Sequence, residues 1–320
     1  MRRYKSFRLA SALLLVAVAV CGAEARAEES HAQASVQASV QASVDVSRIV
    51  SIGGAVTEIL YDLGKQGQIV GVDTTSLFPP EALKSKPSVG YMRQLSPEGI
   101  VGLNPSVVLA IAGSGPPEAL KALEAARVPI VLVPDAFSED GILDKIRRIG
   151  GIVKAADRAN CLMENVRAEF AALRGMTARV EHPLRVMFIL SLTSDRILAA
   201  GKDTAANAII GLAGGRNAFD AFSGYKAVSA EAIIAARPDA VLVMQRTQGA
   251  ISADDVFSRP EFASTPAART RNFIAMDGLY LLGFGPRTAG AARDLSAALY
   301  PLPAPACASG AATATPATCK

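Results

Sequence analysis

The sequence of 320 residues contains no tryptophan and only two histidines, His31 and His182. Ser191 and Ser194 lack the Gly-x-Ser-x-Gly surroundings of a hydrolase nucleophile. A catalytic triad needs a serine, a histidine and a carboxylate that can meet, and these residues offer no persuasive set. We therefore expect a protein that is not an enzyme. Catalysis by carboxylates alone is left open, because the spacing singles out no pair.

The sequence also lacks an excess of either charge once its N-terminus is set aside. Residues 1–27 hold five of the 33 basic side chains and one of the 29 acidic ones, so residues 28–320 hold 28 of each. A nucleic-acid-binding protein shows a basic excess as its electrostatic footprint. We therefore expect no nucleic-acid partner.

The first 27 residues have the pattern of a signal peptide. Four basic residues precede an apolar stretch at 9–23, and Ala25-Arg26-Ala27 fits the small-x-small cleavage rule. This pattern predicts translocation out of the cytoplasm. The stretch is shorter than the roughly 20 residues of a membrane span. Val20 ahead of Cys21 is a poor fit to lipoprotein processing. Residues 28–45, which include three copies of Gln-Ala-Ser-Val, are expected to form a disordered leader.

Three cysteines remain after the predicted cleavage site, at positions 161, 307 and 319. Their spacing matches no metal-ligand pattern. In an oxidising compartment Cys307 and Cys319 could form a local disulfide across a Pro/Ala-rich tail, and two unpaired thiols are an equal alternative. Cys161 lies in a helical pattern and is expected to be a small apolar filler.

Strand and helix patterns alternate along two stretches of the chain. Half of the residues are hydrophobic, which is enough for two domains with cores. We predict an α/β fold of two Rossmann-like lobes with parallel sheets, at residues 46–155 and 179–300, followed by a flexible tail at 301–320. A helix at residues 156–178 is expected to join the lobes, since a 19-residue periodic pattern there would span roughly 28 Å.

Residues 89–110 place a phenol, a cation and an acid ahead of a buried strand. Tyr91 and Arg93 are separated by one residue, so both side chains can point to the same side of an extended or turn segment. Glu98 follows Ser96-Pro97 in the first turn of a predicted helix. We interpret this segment as a ligand mouth on a parallel-sheet lobe.

The second lobe repeats part of this segment. Residues 95–101, LSPEGIV, and residues 228–234, VSAEAII, share Ser-x-Glu and two hydrophobic residues, and each precedes x-Pro and a buried strand. A structural account exists for both, because serine is a good N-cap and glutamate favours the first turn of a helix.

Four stretches resemble the periplasmic haem-binding proteins of bacterial haem ABC importers. They read RIVSIGG with Thr57-Glu58, GYMRQLS at 90–96, GYKAVS at 224–229 and MDGLYLLGFGPR at 276–287. The resemblance covers about residues 46–300. It implies two rigid lobes joined by one long helix, with haem held in a cleft between them.

The resemblance also implies that Tyr91 is the axial ligand of the haem iron. A phenolate is a hard anionic donor suited to Fe(III), and tyrosine is a recognised haem ligand. By resemblance, Arg246 is the expected hydrogen-bond partner of this phenolate. Neither histidine is expected to reach the cleft, so we predict five-coordinate iron with tyrosine alone.

Further residues are expected around the haem. Candidate partners of the propionates, with ordinary surface cations as the alternative, are Lys226, Arg93 and Arg287. The apolar lining is expected from Met92, Tyr225, Met244 and Tyr280, although Tyr280 in an apolar run is also typical of core packing.

Glu98 and Glu231 gain a second interpretation from the resemblance. In related binding proteins with a single linking helix, one acid on each lobe engages arginines of the membrane permease. The expected partners are therefore haem, an inner-membrane ABC permease with a cytoplasmic ATPase, and an outer-membrane receptor as a candidate donor. The protein itself is expected to be a monomer.

Three other functions fit the sequence less well. A ferric-siderophore or cobalamin-binding protein of the same fold would need a cleft richer in arginine or tryptophan. A secreted hydrolase lacks a convincing nucleophile, as described above. A structural or adhesive role would explain the leader repeat but not the paired acids. Haem capture and delivery is the function that the sequence favours.

Overall fold

The computed structural model describes residues 44–245, 249–301 and 319, and the compact unit begins at Val46. The predicted signal peptide, most of the leader, Arg246, Cys307 and most of the tail lie outside the described residues.

The first lobe is built on a parallel sheet with the strand order β2-β1-β5-β6. Its central strands are buried at every position, as expected for a sheet covered by helices on both faces. Its strands are β1 (Ile49–Ile52), β2 (Ile69–Val72), β5 (Val107–Ile111) and β6 (Ile130–Val133), with a hairpin of β3 (Gly90–Tyr91) and β4 (Gln94–Leu95). Its helices are α1 (Gly54–Asp62), α2 (Glu81–Ser85), α3 (Pro97–Gly102), α4 (Pro117–Ala125) and α5 (Glu139–Ile152).

The second lobe has a larger sheet with the order β10-β8-β7-β11-β12, and β9 also pairs with β7. Its strands are β7 (Arg185–Leu192), β8 (Ile197–Ala200), β9 (Arg216–Asn217), β10 (Tyr225–Val228), β11 (Ala240–Gln245) and β12 (Phe273–Asp277). Its helices are α7 (Ala205–Leu212), α8 (Ala230–Ala236), α9 (Ala253–Phe257), α10 (Pro266–Thr270), α11 (Gly278–Leu282) and α12 (Thr288–Leu299).

The second sheet is mixed, whereas the sequence predicted parallel pairing. Strands β7 and β8 are antiparallel, and so are β8 and β10. The cause is a tight turn in which the Thr193 amide donates to the Arg196 carbonyl at 2.9 Å. Such a turn can only return the chain antiparallel, because a parallel pair needs a long crossover. The predicted α/β fold with two lobes and a linking helix is otherwise confirmed.

The linking helix is α6, which runs over Ala156–Thr177. Its 22 residues span about 33 Å at 1.5 Å per residue. Helix α6 packs against α5 of the first lobe and α12 of the second, so it contacts both. Among the described residues, no helix is both long enough and apolar enough to cross a membrane.

The lobes also touch directly through the segment that follows α11. Arg287 Nε and Nη2 each donate to one oxygen of Glu58 on α1, both at 2.9 Å. The same guanidinium lies 3.5 Å from the ring centre of Phe78 in the first lobe. The fully buried Lys145 donates to Asp135 at 2.7 Å and, across the lobe boundary, to the Phe284 carbonyl at 3.0 Å. We call this set of contacts the inter-lobe base.

Cys161 and Cys319 form a disulfide, and this corrects both cysteine expectations. Cys161 is half-buried on α6 while Ala159, Met163 and Val166 form the buried stripe, so its sulfur is open to a partner from outside the core. The Asn165 side-chain amide, one turn along α6, also donates to Cys319 Sγ at 3.4 Å. Nearness in sequence favoured Cys307, but nearness in the fold selects Cys161.

Replacing Cys161 with serine should lower the free energy of unfolding by about 2–4 kcal/mol, because the cross-link restricts the unfolded chain. Urea denaturation followed by circular dichroism measures the change, and Cys307→Ser is the matched control that should leave it unaltered. Non-reducing peptide mapping provides the direct check. A peptide that joins residues 307 and 319 would contradict the assignment.

Glu58→Gln should also destabilise the protein, because the buried end of the inter-lobe ion pair is replaced by a neutral group. The Glu58 side chain is 4% exposed and that of Arg287 is 32% exposed, so we expect a loss of about 2–3 kcal/mol, less than for a fully buried pair. Glu124→Gln on the exposed face of α4 is the control. Equal midpoints in urea for the two variants would show that the pair contributes nothing.

Candidate ligand-binding site

Tyr91 lies on the β3–β4 hairpin, which is attached to the first sheet by main-chain hydrogen bonds. The Thr74 amide donates to the Gly90 carbonyl at 2.9 Å, just beyond the end of β2. Gly115, beyond the end of β5, accepts from the Leu95 amide at 3.0 Å and donates to the Met92 carbonyl at 2.9 Å. The hairpin therefore sits at the carboxyl edge of the parallel sheet, where α/β proteins place their binding residues.

Gly90 sets the direction in which the hairpin leaves the sheet. Its φ of 95° lies in the left-handed region that favours glycine. A Cβ on Gly90 would lie 2.8 Å from the Gln94 carbonyl oxygen. Neither the backbone conformation nor the available space admits another residue without a shift of the hairpin.

The Tyr91 side chain is 46% exposed, which makes it one of the most exposed large hydrophobic side chains among the described residues. Tyr91 pairs with Gln94, so Met92 and Arg93 form the turn of the hairpin. The sequence allowed either an extended or a turn segment, and the structure has a tight turn with Arg93 at its exposed tip.

The turn between β1 and α1 is closed by the protein's own side chains. The fully buried Asp73 accepts from the Gly53 amide at 2.8 Å and from the hydroxyls of Thr75 and Ser76 at 2.7 and 3.0 Å. The Gly54 amide donates to Thr75 Oγ1 at 3.0 Å. A phosphate at this glycine turn would need these amides, which are already bound to side chains of the protein.

Tyr225 presents a second phenol, from β10 of the second lobe, with a side chain that is 36% exposed. Burial raises the pKa of Tyr225, while hydrogen bonds from the Ala206 amide and the Thr204 hydroxyl and the nearby charge of Arg93 act in the opposite direction. Arg93 belongs to the first lobe, so the charge at the hairpin tip lies near enough to act on this phenol of the second lobe.

Tyr91 and Tyr225 occupy related positions in the two lobes. Each follows a glycine with positive φ, 95° at Gly90 and 78° at Gly224. Each precedes a serine that caps a short helix, α3 or α8. The internal repeat therefore begins at the Gly-Tyr pair. The repeat defined from the sequence alone, at residues 95–101 and 228–234, stops short of this pair because the two copies differ by one residue between the tyrosine and the serine.

Two of the expected haem-lining residues are engaged elsewhere. Tyr280 donates its hydroxyl to Asp294 at 2.9 Å, and burial together with this carboxylate raises the pKa of Tyr280 to about 12. That phenol is therefore held in its neutral form. Arg287 is bound to Glu58 in the inter-lobe base, so its charge is already paired.

The remaining candidates are placed as follows. Lys226 is exposed, and its ammonium lies 5.6 Å from the ring centre of Phe222. Met244 is half-buried near the carboxyl end of β11, paired with Met276. Arg246 lies outside the described residues. His182 is exposed ahead of the amino end of β7. Among the residues that the structure describes, no three His, Cys, Asp or Glu side chains gather as a metal site.

Glu98 and Glu231 are exposed in the first turns of α3 and α8. Ser96 accepts from the Gly99 amide and Ser229 from the Ala232 amide, both at 3.2 Å, so the two helices start in the same way. Hydrogen bonds from its own amide and from Ser229 lower the pKa of Glu231. The structural account of the repeat is thus confirmed, and both acids are exposed to solvent.

Gly90→Ala should cost about 1–3 kcal/mol, the range for a residue forced into a sparsely populated backbone region. Gly102→Ala is the matched control, because a Cβ there meets nothing within 4 Å and the residue ends α3. We expect the control to be neutral or slightly stabilising. Thermal unfolding of both variants measures the difference, and equal melting temperatures would contradict the strain assigned to Gly90.

Two α/β lobes joined by one linking helix define the class of two-lobed substrate-binding proteins. The family model described as periplasmic binding protein matches residues 49–279. The chain belongs to the periplasmic binding protein family, whose members bind substrates for transport.

Known proteins with similar sequences and structures fall into the same class. The periplasmic heme-binding protein RhuT from Roseiflexus sp. RS-1, in apo form, is 40% identical with a TM-score of 0.75, over 80% of this chain and 99% of that one. An uncharacterized ABC transporter substrate-binding lipoprotein of Bacillus subtilis is 26% identical over 79% of this chain and 80% of its own length. The vitamin B12-binding protein of Vibrio vulnificus is 26% identical over 76% and 86%. An ABC permease is thus the class of partner.

Proposed function

We propose that this protein captures ferric haem through the Tyr91 phenolate and delivers it to an inner-membrane ABC permease. The observation that carries the proposal is the exposed phenol of Tyr91 on a hairpin anchored at the carboxyl edge of the sheet. Solved structures at 26–40% identity that are described as heme-binding support the same ligand.

Iron and nearby cations must together favour the phenolate, since free tyrosine has a pKa near 10. Fe(III) is a strong Lewis acid for a hard oxygen donor. Arg93, two residues from Tyr91, contributes positive charge at the hairpin. Arg246 follows β11 and stays our proposed hydrogen-bond partner of the phenolate from the second lobe.

Haem is an apolar disc with two carboxylates, and the proposed cleft offers both kinds of contact. Tyr225, Met92 and Met244 supply apolar surface for the porphyrin. Arg93 and Lys226 are exposed cations that can pair with the propionates. Arg287 is less suited to that role, because a propionate would have to compete with the bidentate contact to Glu58.

Iron coordination by Tyr91 alone remains part of the proposal. His182 precedes β7 on the exposed surface, and the Tyr280 phenol is held by Asp294. With a single axial phenolate the iron would be high-spin, and the permease could take up the haem after one iron–oxygen bond breaks. The protein would shield haem from water and aggregation during transfer.

Delivery requires the loaded protein to dock on the permease, and we assign the first contact to Glu98 and Glu231. One acid lies on each lobe, at the start of matched helices. Exposed charge pairs contribute little binding energy but raise the association rate and fix the orientation of the complex.

Cobalamin is the second candidate ligand, because relatives described as vitamin B12-binding proteins match 61–81% of the chain at 24–26% identity. The sequence has no tryptophan to stack on a corrin ring. The exposed phenol of Tyr91 favours haem, since iron offers an open axial position for an oxygen donor.

Titration of the purified mature protein with ferric haem should give a saturable high-spin spectrum with a charge-transfer band. Tyr91→Ala and Tyr91→Phe should both lose this band and weaken binding by at least about tenfold, which is about 1.4 kcal/mol. The measurement is the absorption spectrum from about 350 to about 700 nm, which covers the Soret and visible bands of haem.

Among the described residues, the Tyr300 hydroxyl accepts from the Leu184 amide and donates to the Gly214 carbonyl, both in the second lobe. Tyr300→Phe is therefore the matched control. It should keep the wild-type spectrum. A parallel titration with cyanocobalamin should show no saturation. Saturable cobalamin binding without haem binding would show that cobalamin, and not haem, is the ligand. A wild-type haem spectrum in Tyr91→Phe would overturn the assignment of Tyr91 as the axial ligand.

A further inference from the structure

Two exposed aliphatic side chains accompany the two acids at matched positions. Val101 on α3 is 42% exposed and Ile234 on α8 is 46% exposed, although their neighbours Ile100 and Ile233 are fully buried. Val101 lies three residues after Glu98, and Ile234 lies three residues after Glu231. Side chains three apart on a helix share a face, so each acid has an aliphatic neighbour.

The two copies have the same local structure beyond this pairing. A serine caps each helix, and each helix is followed by a residue in the left-handed region, Asn104 with φ 48° and Arg237 with φ 46°. A proline then leads into an inner strand of each lobe's sheet, β5 in the first lobe and β11 in the second. Both side chains therefore stand on the same scaffold, which fixes the aliphatic residue relative to the acid.

Among the described residues, no other side chain covers Val101 or Ile234 enough to bury it. Six large hydrophobic side chains are exposed among the described residues, and Tyr91 and Tyr225 among them belong to the proposed ligand cleft. Val101 and Ile234 lie on the capped helices α3 and α8, which carry none of the proposed haem contacts. An isolated exposed aliphatic residue is ordinary, but the same exposure at two related positions indicates a shared function.

We propose that Val101 and Ile234 are the apolar anchors of the permease-docking surface, one on each lobe. The inference rests on the docking role assigned above to the acids and adds what they cannot supply. Exposed ion pairs set the association rate, whereas burial of an aliphatic side chain slows dissociation. The occupant is a membrane complex with two equivalent sites, each with a cation beside an apolar depression.

The pairing of like surfaces also restricts the geometry of the partner. A protein that presents the same acid and aliphatic residue twice fits a partner that has the complementary pair twice, as a symmetric dimer does. A single asymmetric partner would have no use for the second copy. Charge complementarity selects a basic surface, and the aliphatic neighbour requires that this surface have an apolar centre.

Binding of the full-length mature protein to the permease–ATPase complex of its source organism, held in lipid nanodiscs, tests the proposal by biolayer interferometry. Val101→Ser and Ile234→Ser should each weaken binding by about fivefold, and the double variant by about 25-fold, since the sites are on separate lobes. The change should appear in the dissociation rate and persist at high salt.

Two controls separate the anchors from the charges and from general surface effects. Glu98→Gln should instead slow association and reduce the dependence on salt. Leu132→Ser removes a side chain that is 51% exposed on β6, outside the repeat, and should have no effect. Equal loss for Leu132→Ser, or wild-type dissociation rates for the double serine variant, would overturn the proposal.

Haem titration of the same variants keeps the two proposals distinguishable. Val101→Ser and Ile234→Ser should bind haem as the wild type does, because neither residue is among the proposed haem contacts. Failure of the wild type to bind haem would remove the proposed cargo, while its binding to the membrane complex could still be measured without haem. Absence of wild-type binding to the complex, or self-association that the double variant abolishes, would assign the anchors to another occupant and overturn the docking surface.

Discussion

A cleft between two lobes has a defined width only if something sets their separation, and the inter-lobe base provides this constraint. Arg287 carries a charge from the second lobe into a first-lobe site formed by Glu58 and Phe78. Lys145 makes the reverse connection, from the first lobe to the Phe284 carbonyl. Both contacts desolvate charge, so each is favourable only when its partner is in place. The linking helix limits how far the lobes can part, and the base sets where they meet.

This arrangement gives a structural meaning to the motif at residues 276–287. The resemblance to haem-binding proteins drew attention to its cation and its aromatic residue as ligand contacts. In the structure both side chains have partners within the chain, because Tyr280 donates to Asp294 and Arg287 donates to Glu58. The phenols of Tyr91 on the hairpin and of Tyr225 on β10 stay exposed. A sequence motif that is typical of binding proteins can therefore contain residues that hold the two lobes together, as Arg287 does.

Sequence reasoning was strongest where one residue type dictates one local structure. Buried runs such as Val107–Ile111 can only be covered strands, and serine caps placed the starts of α3 and α8 correctly. It was weaker where the partner of a residue is distant in sequence. The Cys161–Cys319 bond, the Arg287–Glu58 pair and the antiparallel β8 depend on how far segments approach in space, which periodicity does not report. Tyr225 is intermediate, because its relation to Tyr91 was present in the sequence but offset by one residue.

The disulfide has a consequence for biosynthesis. Cys161 is made near the middle of the chain and Cys319 almost 160 residues later, at a sequence separation of 158. The first thiol is therefore made long before its partner, and Cys307 is made before Cys319. Correct pairing requires that the second lobe has been made and that Cys319 has reached α6, so the intact bond marks a molecule in which both lobes have assembled around the linking helix.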